Sequence, residues 1–103
     1  MIESQFITED HLDLMHYIHK DPKASQRKIA KKTGLSIGKV NYCLKSLIDI
    51  GFIKMSNFNQ SNKKINYVYI LTPRGIREKA IITKRFIIKK KQEYDKLNSY
   101  IST

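Results

Sequence analysis

Residues 25–51 read SQRKIAKKTGLSIGKVNYCLKSLIDIG: two helix-length stretches joined by a tight turn. Ser25 is placed to cap the first, because a serine hydroxyl accepts from the free amides of a first helical turn. Ile29 and Ala30 are its inward positions, and Gly34 ends it where a left-handed backbone is wanted. Leu35 plugs the turn. Ser36 caps a second helix that runs to Ile50, and Gly51 stops it. Ala30, Gly34 and Val40 sit four and then six residues apart. That is the spacing of a helix-turn-helix, which needs a small residue where its helices cross, a glycine in the turn, and a branched apolar residue that locks the second helix onto the first. A generic helical hairpin is the plainer reading of the same stretch, and charge separates the two.

The chain of 103 residues carries a formal net charge of +11, with hydrophobic residues at 41%. That is enough apolar content for one small domain with room for an appendage, in place of several domains. The charge is uneven. Residues 1–19 hold four acids and no Lys or Arg, whereas residues 20–91 hold 19 Lys and Arg against Asp21, Asp49 and Glu78. Residues 92–103 hold one Lys and two acids. The positive stretch covers the helix-turn-helix and all that follows it, so a polyanion is the expected partner: neutralising phosphates releases condensed counterions and steers association. No stretch is long enough to cross a bilayer; the longest apolar run is Tyr67–Leu71. The acidic start MIESQFITEDHLD lacks an apolar signal core, and a lone cysteine fits a reducing compartment, so a cytoplasmic location is expected.

Flanking elements complete the architecture. Residues 8–20, TEDHLDLMHYIHK, read as a first helix with Thr8 as N-cap and Glu9 and Asp10 at the positive dipole end. Leu12, Met15, Tyr17, Ile18 and His19 form its expected inner face, and Asp21-Pro22 breaks it. After Gly51, Phe52–Asn57 and Lys64–Leu71 read as two strands joined by the polar segment FNQSNKK, a hairpin with a loop longer than two residues. A helix-turn-helix followed at once by a hairpin is a winged helix. Thr72-Pro73 then opens a last helix, a cap followed by proline at the first helical position, running to about Tyr100. Its first half is apolar over a wide arc at Ile76, Ala80, Ile81, Ile82, Phe86, Ile87 and Ile88. Its second half narrows to a seam in steps of four and three: Ile76, Ala80, Thr83, Ile87, Lys90, Tyr94, Leu97 and Ile101. A single small domain has no core to cover that seam to its end, so a homodimer through this helix is expected. The fold class is therefore mainly α with a small β-hairpin: a winged helix-turn-helix DNA-binding domain over residues 1–75, and a C-terminal dimerisation helix over 76–103.

Candidate contact residues follow from helical phase at roughly 100° per residue. Val40, Leu44, Leu47 and Ile48 face inward on the second helix of the pair, with Ile37 beside them. Gly38, Lys39, Tyr42, Lys45, Ser46 and Asp49 face outward, and Asn41 lies at the boundary. The N-terminal half of such a helix meets the bases, which selects Ser36, Gly38, Lys39 and Tyr42, then Asn41 and Lys45. Gly38 lets the backbone come close, Lys39 reaches guanine acceptors or a phosphate, and Tyr42 offers its ring to thymine methyls. Ser25 and Gln26 start the first helix of the pair. Arg27, Lys28, Lys31 and Lys32 on it are assigned to phosphates, giving affinity without sequence information. Lys63 and Lys64 at the wing tip are assigned to backbone or minor groove.

Other chemistry is weakly represented. His16 and His19 lie one turn apart near His11 and Asp13, but no Cys or Glu pattern completes a zinc site; no metal or cofactor is expected. Cys43 reads as a half-buried structural thiol more than a redox switch. There is no phosphate-cradling glycine loop, nucleophile elbow or catalytic acid pair, so an enzyme is not expected. The reading is a sequence-specific double-stranded DNA-binding transcription regulator, acting as a homodimer on a pseudo-palindromic operator. The alternative is a winged-helix protein-interaction module.

The segment LTPRG (Leu71–Gly75), behind a helix-turn-helix and wing, resembles that of the MarR-type winged-helix regulators. The runs SIGKVNYCLKSLIDIGFIK (Ser36–Lys54) and NKKINYVYILTPRGIREKA (Asn62–Ala80) resemble the exopolysaccharide-associated MarR-family transcriptional regulators in particular. The resemblance covers about residues 10–97. It implies a dimeric bacterial regulator of polysaccharide-synthesis genes, with Ser36, Lys39, Asn41 and Tyr42 on the recognition helix and Asn62–Lys64 on the wing. Typical MarR-type regulators dimerise through both terminal helices, around a pocket for phenolic ligands. Here only a short segment precedes the first helix, so a small-molecule effector is left open.

Overall fold

A computed structural model describes residues 6–61 and 64–102, with side chains described outside 57–67. The order is α1 (Glu9–Lys20), α2 (Gln26–Thr33), α3 (Ile37–Asp49), β1 (Ile53–Ser61), β2 (Lys64–Leu71) and α4 (Pro73–Ile101). Both sequence-read caps of the helix-turn-helix form: Ser25 Oγ accepts from Lys28 N–H at 3.1 Å, and Ser36 Oγ accepts from Lys39 N–H at 3.1 Å. Gly34 at φ 78° and Gly51 at φ 81° end α2 and α3 in the left-handed region, which is open to glycine without strain. At the end of α3, Gly51 N–H donates to the Ile48 carbonyl and Phe52 N–H to the Leu47 carbonyl, the paired bonds of a Schellman terminus.

The core gathers Leu14, Met15 and Ile18 of α1, Ile29 and Ala30 of α2, and Val40, Cys43, Leu44 and Leu47 of α3. Phe52, Ile53, Tyr69 and Leu71 close it from the hairpin side and Ile82 from α4. Full burial of a side chain the size of leucine is worth about 2 kcal/mol, so these positions outweigh the caps, each worth about 1 kcal/mol.

Several inner-face expectations change. On α1 the buried set is His11, Leu14, Met15 and Ile18; Leu12 and Tyr17 are half-buried and His19 is exposed. Positions 11, 14, 15 and 18 share one helical stripe, and 19 falls a further 100° round. His11 enters the core edge because its ring is consumed in capping: Thr8 N–H donates to His11 Nδ1 at 3.1 Å, and His11 N–H reaches back to Thr8 Oγ1. On α3, Ile37 is 51% exposed instead of lying beside the inner face, whereas Cys43 is fully buried. On α4, of the wide apolar arc only Ile82 is buried and Phe86 half-buried; Ile76, Ala80, Ile81, Ile87 and Ile88 are exposed.

The hairpin is a two-stranded antiparallel sheet in the register Ile53↔Leu71 to Phe58↔Asn66, with an irregularity before Ser61↔Lys64. Most of the segment read as a polar loop, Phe58–Ser61, continues β1. Backbone pairing carries a strand through a polar sequence as long as a partner strand supplies the hydrogen bonds. Tyr69 N–H also donates to the Pro22 carbonyl at 3.3 Å, tying β2 to the α1–α2 turn.

Gly75 fixes how α4 leaves the domain. A Cβ there would fall on the Phe52 carbonyl oxygen and within 2.9 Å of its carbonyl carbon. Only glycine lets the first turn of α4 rest on the backbone behind α3. From there α4 projects outward, and the molecule measures 67 × 28 × 20 Å.

Candidate nucleic-acid interface

The outer face of α3 presents Ser36, Gly38, Lys39, Tyr42, Lys45 and Asp49, all exposed; Asn41 and Ser46 are half-buried. Tyr42 is 62% exposed. Its ring leans on α1, with centroid 6.4 Å from that of His11 at a tilt of 56°. Lys39 Nζ lies 5.6 Å from the Tyr42 ring centre and 4.0 Å from Asp10 Oδ2. The ammonium is thus held over the tyrosine face toward the first turn of α1, loosely, since an exposed pair of this length is worth well under about 1 kcal/mol. Ser46 Oγ donates to the Tyr42 carbonyl at 3.0 Å, which removes it from the outer donor set. Gly38 has nothing within 4 Å of where a Cβ would stand. Its glycine is therefore not required by packing within the chain.

Ile37 is the residue that helical phase missed. Its exposure puts an apolar side chain between Ser36 and Gly38, at the end of α3 that would lead into a groove. Phase placed it inward; the exposure of so large an apolar group beside a cap is the signal that sequence alone could not supply.

On α2, Arg27, Lys31 and Lys32 are exposed and make no ion pair among the described residues. Lys28 differs: its Nζ lies 3.0 Å from Asp21 Oδ2. That hydrogen bond lowers the Asp21 carboxyl and raises the Lys28 ammonium from their ordinary pKa values. Gln26 is also engaged, its Nε2 donating to the Tyr69 hydroxyl at 3.0 Å. It therefore ties α2 to the root of the hairpin. Ser25 is spent as the cap. Of the wing contacts, Asn62 and Lys63 lie outside the described residues, and Lys64 opens β2 with its side chain likewise outside them.

Burial raises the Cys43 thiol above its usual pKa against a lesser pull downward from Lys39. It is thus protonated and shielded, the opposite of an activated thiolate. His11 is shifted down, by burial first and Lys39 second, with Asp10 opposing.

The seam residues of α4 lie off the core-facing stripe. Tyr94, Leu97 and Ile101 are 67%, 63% and 83% exposed, Ile76, Ala80 and Ile87 are exposed, and Thr83 is half-buried with its hydroxyl donating to the Lys79 carbonyl. Lys90, the charged interruption, turns back to α1: its Nζ is 3.0 Å from Glu9 Oε1, which raises its pKa. Between α4 and the start of α1 an open cleft of about 610 Å3 is lined by Ile7, Thr8, Glu9, Arg85, Phe86 and Lys89. No helix among the described residues is long and apolar enough to cross a membrane.

Residues 11–54 match a family model described as winged helix-turn-helix DNA-binding. Among curated proteins, none matches the sequence. Several solved structures are similar. A MepR mutant from Staphylococcus aureus superposes with a TM-score of 0.69 at 19% identity, over 95% of this chain and 78% of that one. S. aureus MarR, solved with salicylate and kanamycin, gives 0.65 at 18% identity, over 92% and 62%. Streptococcus pneumoniae FabT, solved with DNA, gives 0.65 at 18% identity, over 88% and 62%. The chain thus spans about three fifths of the length of the MarR and FabT chains. At such identities the likeness establishes the fold, which is the MarR-type winged helix.

Proposed function

We propose that this chain is a transcription regulator of the MarR type that binds duplex DNA as a homodimer, with α3 in the major groove. The observation that carries the reading is the outer face of α3. It is capped by Ser36, free of acids until Asp49, and open at Gly38, and Arg27, Lys31 and Lys32, without an ion pair among the described residues, lie on the helix before it. Backbone phosphates need cations and amides that are not already committed, whereas base edges need short, exposed groups at the leading end of a helix. Ser36, Ile37, Gly38, Lys39 and Tyr42 have that position, with Asn41 and Lys45 behind them. Arg27, Lys31 and Lys32 serve the phosphates, with Lys28 contributing less because Asp21 already holds it. Ser25 and Gln26 add backbone amides and a fixed α2. The wing residues Asn62, Lys63 and Lys64 supply a second contact. The unpaired seam on α4 supports pairing of two copies, and a two-fold dimer places half-sites about 10 bp apart or a multiple of that. Control of polysaccharide-synthesis genes rests on the sequence resemblance of Ser36–Lys54 and Asn62–Ala80.

The direct test is selection from a genomic fragment library at two salt concentrations. Enrichment of a few promoter fragments is expected; equal retention of all fragments overturns sequence-specific regulation. Two substitutions separate the roles. Lys39→Ala relaxes discrimination among fragments. Lys31→Ala weakens all fragments alike and reduces the salt slope by about one.

A further inference from the structure

The segment Thr72–Gly75 does more than start α4. The Thr72 hydroxyl donates to the Gly51 carbonyl at 2.6 Å while accepting from Gly75 N–H at 3.0 Å, and Thr72 N–H donates to the Phe52 carbonyl at 3.0 Å. An Arg74 guanidinium nitrogen donates to the Ile50 carbonyl at 2.9 Å, and the guanidinium carbon lies 5.3 Å from the centre of the Phe52 ring. Ile50 is the cap of α3, and Phe52 is fully buried. Gly75 lets the α4 backbone close on Phe52. The end of α3 and the first turn of α4 are therefore clasped by three hydrogen bonds and a ring contact, with the Gly75 N–H bond to Thr72 Oγ1 holding the cap itself. One of those bonds brings a guanidinium onto the Ile50 carbonyl at the negative end of the α3 dipole.

We infer that this clasp, with Arg74 as its positioning residue, sets the angle between α3 and α4 and thereby the spacing of DNA half-sites that the dimer accepts. The inference rests on the dimeric reading proposed above. The lever is long. From Pro73 to Tyr94, midway along the exposed part of the seam, α4 runs about 32 Å at 1.5 Å per residue. A tilt of about 6° at the clasp moves that point about 3 Å, close to the rise of one base pair. Recognition residues need not change for the preferred spacing to change. Arg74 faces the end of α3 away from Ser36 and Lys39, so it acts through position and not through base contact.

The experiment selects paired half-sites from a random duplex library with the full chain and with Arg74→Gln. The parent enriches one spacing. Arg74→Gln enriches the same half-site sequence at several spacings, and its preference for the best spacing over one shifted by a base pair falls about tenfold, the scale of one lost charge-assisted bond. An unchanged spacing preference in Arg74→Gln overturns the inference. A parent that enriches only single half-sites overturns the dimeric reading and, with it, the consequence for spacing. The clasp itself is then read independently of DNA, with spin labels on Asp49→Cys and Lys96→Cys in chains diluted with unlabelled protein. Cys43 is fully buried, so the introduced pair takes the label. A narrow distance distribution that broadens in Arg74→Gln supports the clasp, and equal widths overturn it. If Arg74→Gln does not fold, Arg74→Lys keeps a donor for the Ile50 carbonyl without the planar stack on Phe52; a distribution broader than the parent's then supports the clasp, and an equal width overturns it.

Discussion

His11 caps its own helix and backs the ring of Tyr42, so one imidazole supports both α1 and the outer face of α3. Its Nδ1 accepts from Thr8 N–H, which requires that nitrogen to be unprotonated. Burial and Lys39 lower its pKa in the fold from an ordinary 6.5. The unfolded chain therefore binds the proton more readily, and the stability that neutral His11 confers is complete above pH 6.5 and is lost as pH falls through the lower folded value. Thermal denaturation between pH 7.5 and 5 is expected to show this loss. His11→Gln, whose amide oxygen accepts the same Thr8 N–H, is expected to flatten that part of the profile. Gly38 gives a second test at this scale. Glycine inside a helix costs about 1 kcal/mol relative to alanine, and nothing in the chain occupies the space before it. Gly38→Ala is expected to raise the melting temperature and to lower DNA affinity. A gain in both means that no surface approaches the backbone there.

The elements divide by how locally they are determined. Helices α2 and α3 end where serine hydroxyls and left-handed glycines place them, and those signals are short-range. The hairpin is different. Its polar stretch Phe58–Ser61 carries no strand signal of its own and is extended because β2 pairs with it. The junction of α3 with α4 is closed by a backbone-to-backbone approach. At Gly75 a methyl group would meet the Phe52 backbone, which cannot swing aside as a side-chain tip can. Gly75→Ala is therefore expected to destabilise the domain by about 2 kcal/mol or more, seen as a shifted denaturant midpoint with unchanged slope. A neutral outcome would show that α4 can lift from Phe52 without cost.

At the scale of the whole molecule, α4 is the longest element and exposes Ile87, Ile88, Tyr94, Leu97, Tyr100 and Ile101. From Ile87 to Ser102 every described residue is exposed, and the seam runs through this half. In the homodimer proposed above, a second copy covers this stripe. Leu97→Glu is expected to give monomers by analytical ultracentrifugation while α1–α3 stay folded by circular dichroism. Paired half-site binding is then lost, and single half-sites are bound more weakly. Lys90 is expected to tolerate the dimer because Glu9 draws its ammonium out of the seam.

Sequence by itself determined the order of the elements, the helix-turn-helix caps, the proline-led start of α4 and the chain's own positive charge. Each of these is written in neighbouring residues or in bulk composition. Only the tertiary structure decided that His11 and Leu14 displace His19 from the inner face, that Ile37 is exposed, and that Gln26 and Lys28 are already engaged by Tyr69 and Asp21. It also decided that Arg74 closes on the end of α3. The Gln26, Lys28 and Arg74 contacts join groups 43, 7 and 24 positions apart on different elements, and helical phase within one element does not say which group of another it meets, because the partner is set by packing.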